Sequence, residues 1–407
     1  STRIIKIFLL IIKQLIFLVM SKHHVNFSYW ETHREIFKGD ILIIGSGLVG
    51  QSIGIAIQKQ KKELKQKPLK ICIVDKLPMG QSGASTRNAG FACFGSPTEI
   101  LDDLSREEEN QTVNRISNRI SGLSIWKDWI PSNIIEWNEC GGYEVFEREE
   151  EMNFQEVLDK LPYLNKIGKA ASGNPMIYSK YQRISSKLPY SIRIEGEASL
   201  NPGKAHNSLY GLNKELGNQI VNGVSIPNRN YWHKNSEGWT IPTENGIFKA
   251  KRVVIAANAW TPKILDSDID ITPGRGQILM IKSAKAISYE GVFHAKKGYL
   301  YFRNNNNSLI LGGGRNLFQT NETSLEMRTT KEVQDYLELY ARDILLPNQD
   351  FSIQNRWAGI MAFSKKGNKD PLLYWDEPDL LIASRMCGMG VALAPIIGIK
   401  ASKKILE

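Results

Sequence analysis

Residues 40–75, DILIIGSGLVGQSIGIAIQKQKKELKQKPLKICIVD, decide the fold. The apolar run Ile41-Leu42-Ile43-Ile44 reads as a strand buried on both faces, as in parallel sheets. It breaks at Gly45-Ser46-Gly47-Leu48-Val49-Gly50, and from Ser52 to Gln58 small and apolar residues recur at helical spacing. Lys59, Lys61, Lys62, Lys65 and Lys67 would close that helix, where cations suit the dipole, and Pro68 stops it. Leu69 to Val74 is a second strand, and Asp75 ends it. A G-x-G-x-x-G string alone is weak. Between a strand and a helix, with an acidic residue ending the next strand, it reads as a dinucleotide-binding turn. Gly45 permits the tight turn, Gly47 lets a pyrophosphate approach the backbone, and Gly50 lets helix and strand pack closely. The helix N-terminus then stabilises the diphosphate charge, and Asp75 accepts ribose hydroxyls. FAD and NAD share this fingerprint, so it does not choose between them.

Around this unit the chain has 407 residues, enough for two or three structural units at about 150 residues each. Its 42% apolar and 23% charged residues are ordinary for a globular protein and exclude a disordered tail, a collagen-like repeat and a polytopic membrane protein. The net charge of +10 is spread among interspersed charges of both signs, which suits a lysine-rich surface better than a nucleic-acid partner. Cys72, Cys93, Cys140 and Cys387 lack C-x-x-C spacing, so neither a disulfide framework nor a zinc site is expected, and a reducing, cytoplasmic setting suits them. The six histidines form no metal-binding pattern. Ile4 to Met20 is apolar but interrupted by Lys6 and Lys13, which makes it a poor membrane span. We read residues 1–19 as an extension upstream of a natural start at Met20, with a membrane anchor as the alternative.

Further buried strands are expected at Val253–Ala257 and Asp379–Ser384, then a turn at Gly388 and Gly390 and a helix from about Ala394 to Leu406. Between them, residues 140–195 mix strand and helix. Tyr299-Leu300-Tyr301-Phe302 and Leu309-Ile310-Leu311 read as a hairpin joined at Asn304–Asn307. The acidic clusters Glu107–Glu109 and Glu147–Glu151 read as solvated faces. The expected fold is α/β: a discontinuous Rossmann-like cofactor domain (40–139, 196–268, 346–407) with an inserted mixed α+β substrate domain on an antiparallel-rich sheet (140–195, 269–345), after an extension over 1–39.

Gly80-Gln81-Ser82-Gly83-Ala84-Ser85-Thr86-Arg87-Asn88-Ala89-Gly90 resembles the G-A-S-x-R-N-x-G segment of the FAD-dependent D-amino acid oxidase superfamily. In the same order as in that family come Asn201-Pro202-Gly203, Val254-Ile255-Ala256-Ala257-Asn258-Ala259-Trp260, Pro273-Gly274-Arg275-Gly276-Gln277, Trp357-Ala358-Gly359-Ile360 and Gly388-Met389-Gly390-Val391-Ala392-Leu393-Ala394-Pro395. The resemblance runs from Asp40 to the C-terminus and implies FAD. The cofactor-binding residues it implies are Gly45, Gly47, Leu48, Val49, Gly50, Asp75, Lys76, Ser82, Ala84, Ser85, Arg87, Asn88, Ala89 and Gly90 from the first part of the chain. Ile226, Ala257, Asn258, Trp260, Gly359, Gly388, Met389, Gly390, Val391 and Ala392 complete the set. The implied chemistry is hydride removal from a carbon bearing an amine, hydrolysis of the imine by water, and reoxidation of the flavin by oxygen or a quinone. The flavin carries the hard step, and no Ser-His-Asp or Cys-His arrangement is evident or required.

The departures bear on substrate. Where many amino-acid oxidases read Gly-Leu-Arg-Pro, with the Arg clamping the carboxylate, this chain reads Gly359-Ile360-Met361-Ala362. Either another cation binds the carboxylate or the substrate has none there. The candidates are Arg87, Arg315 and Arg385, each of which has a structural reading as well. Gln277, Tyr299 and Tyr301 would face the flavin from substrate-domain strands. Asn258 stands in place of a family Gly, and Asn tolerates the same backbone. The stretch Arg356 to Pro371 has no Cys to tether a flavin, so non-covalent FAD is expected, and Cys387 reads as a small filler. The leading function is oxidation of a small amine or amino acid. The alternatives are a flavin enzyme acting on a modified tRNA nucleoside, or a flavoprotein without amine-oxidising activity.

Overall fold

The computed structural model describes residues 28–407, and the apolar run Ile4–Met20 lies outside them. Among the described residues no helix is long and apolar enough to cross a membrane. The main chain forms two large sheets. The first is ordered Leu372–Glu377, Leu380–Ser384, Gly246–Ile255, Glu35–Ile44, Ile71–Asp75, Gln219–Asn222, and the pairings from Leu380–Ser384 onward are parallel. Ile41 to Ile44 are all at most 4% exposed, because helices cover one face of this sheet and a second apolar cluster the other. The first strand starts at Glu35, ahead of the apolar run, since Glu35 to Gly39 extend the pairing with Ile247 to Ala250.

The helix after the glycine turn, Leu48–Glu63, ends before Lys65, whose φ of +52° turns the chain, so only Lys61 and Lys62 lie in its last turn. The closing helix is Gly390–Leu406, one turn longer than expected. It packs against Leu48–Glu63, and Gly398 permits this: a β-carbon there would lie 2.6 Å from the Ser52 carbonyl oxygen.

The second sheet is ordered Phe351–Phe363, Thr272–Ser283, Ser308–Gly313, Leu300–Asn305, Val292–Ala295, Gly142–Phe146, Tyr190–Ile194, Tyr178–Tyr181. It is antiparallel except between Val292–Ala295 and Gly142–Phe146. The hairpin turns at Asn306, φ +56°, the left-handed conformation that Asn adopts readily.

Strand alternation gives this sheet two unlike faces. The outer face buries Leu279, Ile281, Leu309 and Leu311 with Val333 and Leu337 of the helix Lys331–Tyr340. On the inner face Gly276 pairs with Gly359, Gly274 with Met361, Gly312 with Tyr301, and Tyr301 with His294. Bare glycines thus let Phe363, Met361 and Tyr301 lie across this face, on the side that meets Ala89, Phe91 and Trp357. The acidic cluster at Glu107 is not a plain solvated face, because Glu107 pairs with the buried Arg115.

Candidate active site

The glycine turn is held by close approach. Gly45 has φ +113°, and a β-carbon there would lie 2.5 Å from the Ala256 carbonyl oxygen. At Gly50 a β-carbon would lie 1.8 Å from the Gly45 carbonyl oxygen, so only glycine lets this helix meet this strand. Gly47 has extended backbone, and its β-position would meet only the Ser85 side chain, at 2.9 Å. Asp75 closes the turn: Oδ2 accepts from the Ser46 N–H at 2.7 Å and Oδ1 from the Leu77 N–H at 2.9 Å. Beneath it, buried His206 has its Nε2 2.9 Å from the Ser46 carbonyl oxygen, and burial lowers its pKa, so a neutral ring donates through Nε2–H.

Above the turn lies a cavity of about 610 Å³, within the range of cofactor pockets. It runs continuously from Asp75 and Lys76 past Gly45, Gly47, Leu48 and Val49 to Met361 and Gly388. Ser82, Ala84, Ser85, Asn88, Ile226, Ala257, Asn258, Trp260, Gly390 and Val391 also line it. Asn258 adopts φ +48°, and its Oδ1 accepts from the Arg385 N–H at 3.2 Å. Lys76 lies 4.6 Å over the Trp260 ring, and burial lowers its pKa.

Gly50, Arg87, Ala89, Gly90, Gly359, Met389 and Ala392 do not line the cavity but stand behind its wall. At Gly359 a β-carbon would meet the Arg87 Cβ at 3.0 Å, and at Gly90 the Leu200 carbonyl oxygen at 2.2 Å. The Ala89 carbonyl accepts from Arg303, the Met389 N–H donates to Met386, and Ala392 packs against Gly122. Sequence reasoning missed other lining residues, including Val224, Ser225, Pro227, Asn228, Lys263 and Met386. Val224 to Asn228 follow the strand Gln219–Asn222. The carboxyl ends of parallel strands are where open sheets bind ligands, so this position was the available signal.

The far end of the cavity meets the inner face of the second sheet at Met361. The empty β-position of Gly276 lies 2.7 Å from the Met361 Cε and 3.9 Å from the Tyr301 Oη. Burial pushes the Tyr301 phenol up to about 12, so its hydroxyl stays protonated. Tyr299 is 47% exposed and does not line the cavity. Gln277 points to the outer face instead, where its amide donates to Glu322 and Thr330, because it alternates with the inward Gly276. The Arg87 Nε and Nη1 donate to the Ser82 and Ala358 carbonyls at 3.0 and 3.1 Å. The Arg385 guanidinium donates to the Asp370 carbonyl at 2.9 Å and pairs with Asp270. Both are therefore engaged in holding loops. Cys387 turns toward the Asn368 and Arg385 carbonyl oxygens, 3.7 Å away.

One group of metal-type donors is assembled from distant positions: Cys93, Glu197 and His294 lie within 4.8 Å of one another. Its carboxylate is already satisfied, by the Phe94 N–H at 3.1 Å and the His294 Nε2 at 2.8 Å, so the group reads as a buried pair beside a thiol.

A glycine turn open above Gly47, an acidic residue at the next strand end and one continuous cavity fit an extended dinucleotide such as FAD. The backbone N–H groups at the start of Leu48–Glu63 and the side chains of Asp75, Ser85 and Asn88 are the groups that could hold it. Comparison with known proteins agrees. The sequence pattern of the DAO family, FAD dependent oxidoreductase, matches residues 40–403. An aerobic glycerol-3-phosphate dehydrogenase of Staphylococcus saprophyticus is 21% identical over 82% of this chain and 60% of its own length. The bifunctional protein ThiO/ThiG of a Nostoc species is 21% identical over 90% of this chain and 53% of its own length. The chain thus spans little more than half of these curated relatives. Among solved structures, glycine oxidase from Geobacillus kaustophilus superposes with a TM-score of 0.68 at 17% identity, covering 90% of this chain and 94% of that one. L-proline dehydrogenase from P. horikoshii gives 0.68 at 18% identity, covering 90% and 93%. By fold and by sequence pattern, this chain belongs to the DAO family of FAD-dependent oxidoreductases.

Proposed function

We propose that this chain oxidises the C–N bond of a small amine or amino acid to an imine, which water hydrolyses to a carbonyl compound and ammonia or an amine. The observation that carries the proposal is the junction at Met361, where the dinucleotide cavity ends under a glycine-lined sheet face beside Tyr301. A small molecule seated at that junction would meet one end of the cofactor.

When bound, FAD supplies the hydride acceptor. Asp75 would accept the ribose hydroxyl hydrogens, and the N-terminus of Leu48–Glu63 would stabilise the diphosphate. Met361 and Ile360 form an apolar wall that keeps bulk water from the reacting carbon. Tyr301 remains a neutral donor able to orient a substrate oxygen.

Oxidation of a neutral amine releases a hydride from the carbon and a proton from the nitrogen, and the nitrogen lone pair drives the step without a strong base. A glycerol-phosphate-type alcohol is a second reading, suggested by the relatives of that name. It requires a base for the hydroxyl proton. Among the described residues the cavity lining holds no His or Glu; Asp75 secures the glycine turn and Asp266 accepts from Asn230 at 2.7 Å. The candidate base on the sheet face beside Tyr301 is His294, whose Nε2 is engaged by Glu197 at 2.8 Å. Amine oxidation needs no such base and is therefore favoured.

The test is turnover of holoenzyme with amines, amino acids and glycerol 3-phosphate, using oxygen or a quinone as acceptor. The proposal expects a carbonyl product and ammonia or amine in equal amounts. Turnover of alcohols alone would overturn it, and inertness toward the whole panel would favour a macromolecular substrate or a non-catalytic flavoprotein.

A further inference from the structure

The arginines around the inner sheet face are engaged, with one exception. Arg87 and Arg385 hold loops and Arg303 donates to the Ala89 and Leu200 carbonyls, while Arg275, on the outer face, pairs with Glu322. Arg315, half-buried in the turn after Ser308–Gly313, has no hydrogen-bond acceptor and no ion-pair partner among the described residues. Its guanidinium instead lies over the Phe363 ring, 4.1 Å from the centroid. Stacking fixes the plane of the fork and leaves its edge N–H donors free. Burial depresses its pKa, so the charge bears a desolvation cost that no hydrogen bond or ion pair among the described residues offsets. Glu322, whose charge reaches it, is occupied by Arg275, Gln277 and Thr330.

Arg315 also stands at the right place. The empty β-position of Gly274 is 3.4 Å from the Arg315 Cδ, and that of Gly276 is 2.7 Å from the Met361 Cε. Met361 is itself the cross-strand partner of Gly274, so Arg315 borders the end of the cavity on the side of Phe363. Tyr301 lies between them: its hydroxyl borders Gly276, and its titration feels Arg315.

We propose that Arg315, stacked on Phe363 and flanked by Tyr301, is a carboxylate-binding subsite of the substrate pocket, so that the substrate carries a carboxylate on the Phe363 side of that pocket. This deepens the amine-oxidation reading and rests on it. A guanidinium without a protein acceptor matches one carboxylate charge, and its fork binds the two oxygens in parallel. The anion site then belongs to the turn after Ser308–Gly313 and not to the strand Phe351–Phe363, whose corresponding position is the uncharged Met361.

The test uses oxidised holoenzyme and three probes: butyrate, its neutral analogue butyramide, and inorganic phosphate. Binding is read from the change in the visible flavin spectrum and from the thermal midpoint. Butyrate is expected to bind wild type and butyramide is not. Arg315→Gln should weaken butyrate by about 10- to 100-fold, and Arg315→Lys should recover part of the loss. Because Arg315 makes no hydrogen bond, both variants should melt with the wild type when no probe is present. Unchanged butyrate affinity in Arg315→Gln, no binding of butyrate to wild type, or binding of phosphate alone would each overturn the subsite. Reduction by amines is scored separately. Arg315-dependent butyrate binding in an enzyme that no amine reduces would overturn the C–N reading and leave the subsite standing.

Discussion

Two glycines of one turn should fail in different ways when each is replaced by alanine. At Gly50 the new methyl carbon would sit 1.8 Å from the Gly45 carbonyl oxygen. Ordinary contact is about 3.5 Å, so the helix Leu48–Glu63 must retreat by about 1.7 Å from the strand it packs on. Overpacking of that kind costs about 3 kcal/mol, at the upper end of its usual range. At roughly 2 °C per kcal/mol for a chain of this size, the apoprotein midpoint should fall by about 6 °C. At Gly47 the methyl carbon would meet only the Ser85 Oγ, at 2.9 Å, on a backbone that any residue adopts. A hydroxyl can rotate away, and the cost is at most the Leu48–Ser85 hydrogen bond, about 1 kcal/mol. The same methyl occupies the space into which a diphosphate must back. Losing one charge-assisted N–H contact weakens binding by about 10- to 100-fold. Apoprotein titrated with FAD, followed by quenching of flavin fluorescence, separates the two. Gly47→Ala should melt within about 2 °C of wild type and bind FAD roughly 100-fold more weakly. Wild-type FAD affinity in Gly47→Ala would refute the placement of the diphosphate.

Asp75→Asn keeps an acceptor for one of the Ser46 and Leu77 N–H groups but loses the charge that would receive the ribose, so FAD affinity should drop about 10-fold in the same titration. Glu322→Ala strands the Arg275 guanidinium, whose side chain is 3% exposed, at a cost of about 3–5 kcal/mol. The midpoint should therefore fall by about 6–10 °C while FAD affinity stays the same, because Glu322 does not line the cavity. Burial pushes the Glu144 carboxyl up to about 7 from its ordinary 4.5, although Ser96 and Thr98 donate to it. Its contribution to stability is complete below pH 4.5 and declines as the pH rises through about 7. Glu144→Gln should thus flatten the loss of stability across that window, by at most about 3 kcal/mol in chemical denaturation.

The cofactor half of the site was legible because its signals are local. A strand, a turn and a helix within residues 41–63, with Asp75 one strand later, carry their own geometry, and Asn258 suits the left-handed backbone that it adopts. The substrate half depends on partners far apart in sequence. Arg87 reaches Ala358, and Arg385 reaches Asp270 and Asp370; no local pattern announces those commitments. Cys93 and Glu197 flank the short paired strands Phe91–Ala92 and Ala198–Ser199, and they meet His294 only where that pair packs on the second sheet. Gln277 could have been read correctly. In Gly274-Arg275-Gly276-Gln277 the glycines alternate with long polar residues, and the glycine face is the one that meets Phe363 and Met361. The same alternation sends Arg275 and Gln277 outward to Glu322.

The most direct test of the account is anaerobic titration of purified holoenzyme with amino acids, each paired with its decarboxylated amine. At least one amino acid should bleach the visible flavin absorption stoichiometrically, its decarboxylated partner should do so far less readily, and ammonia or an amine should appear with the carbonyl product. Flavin that no amine or amino acid reduces, but that an alcohol does, would contradict it.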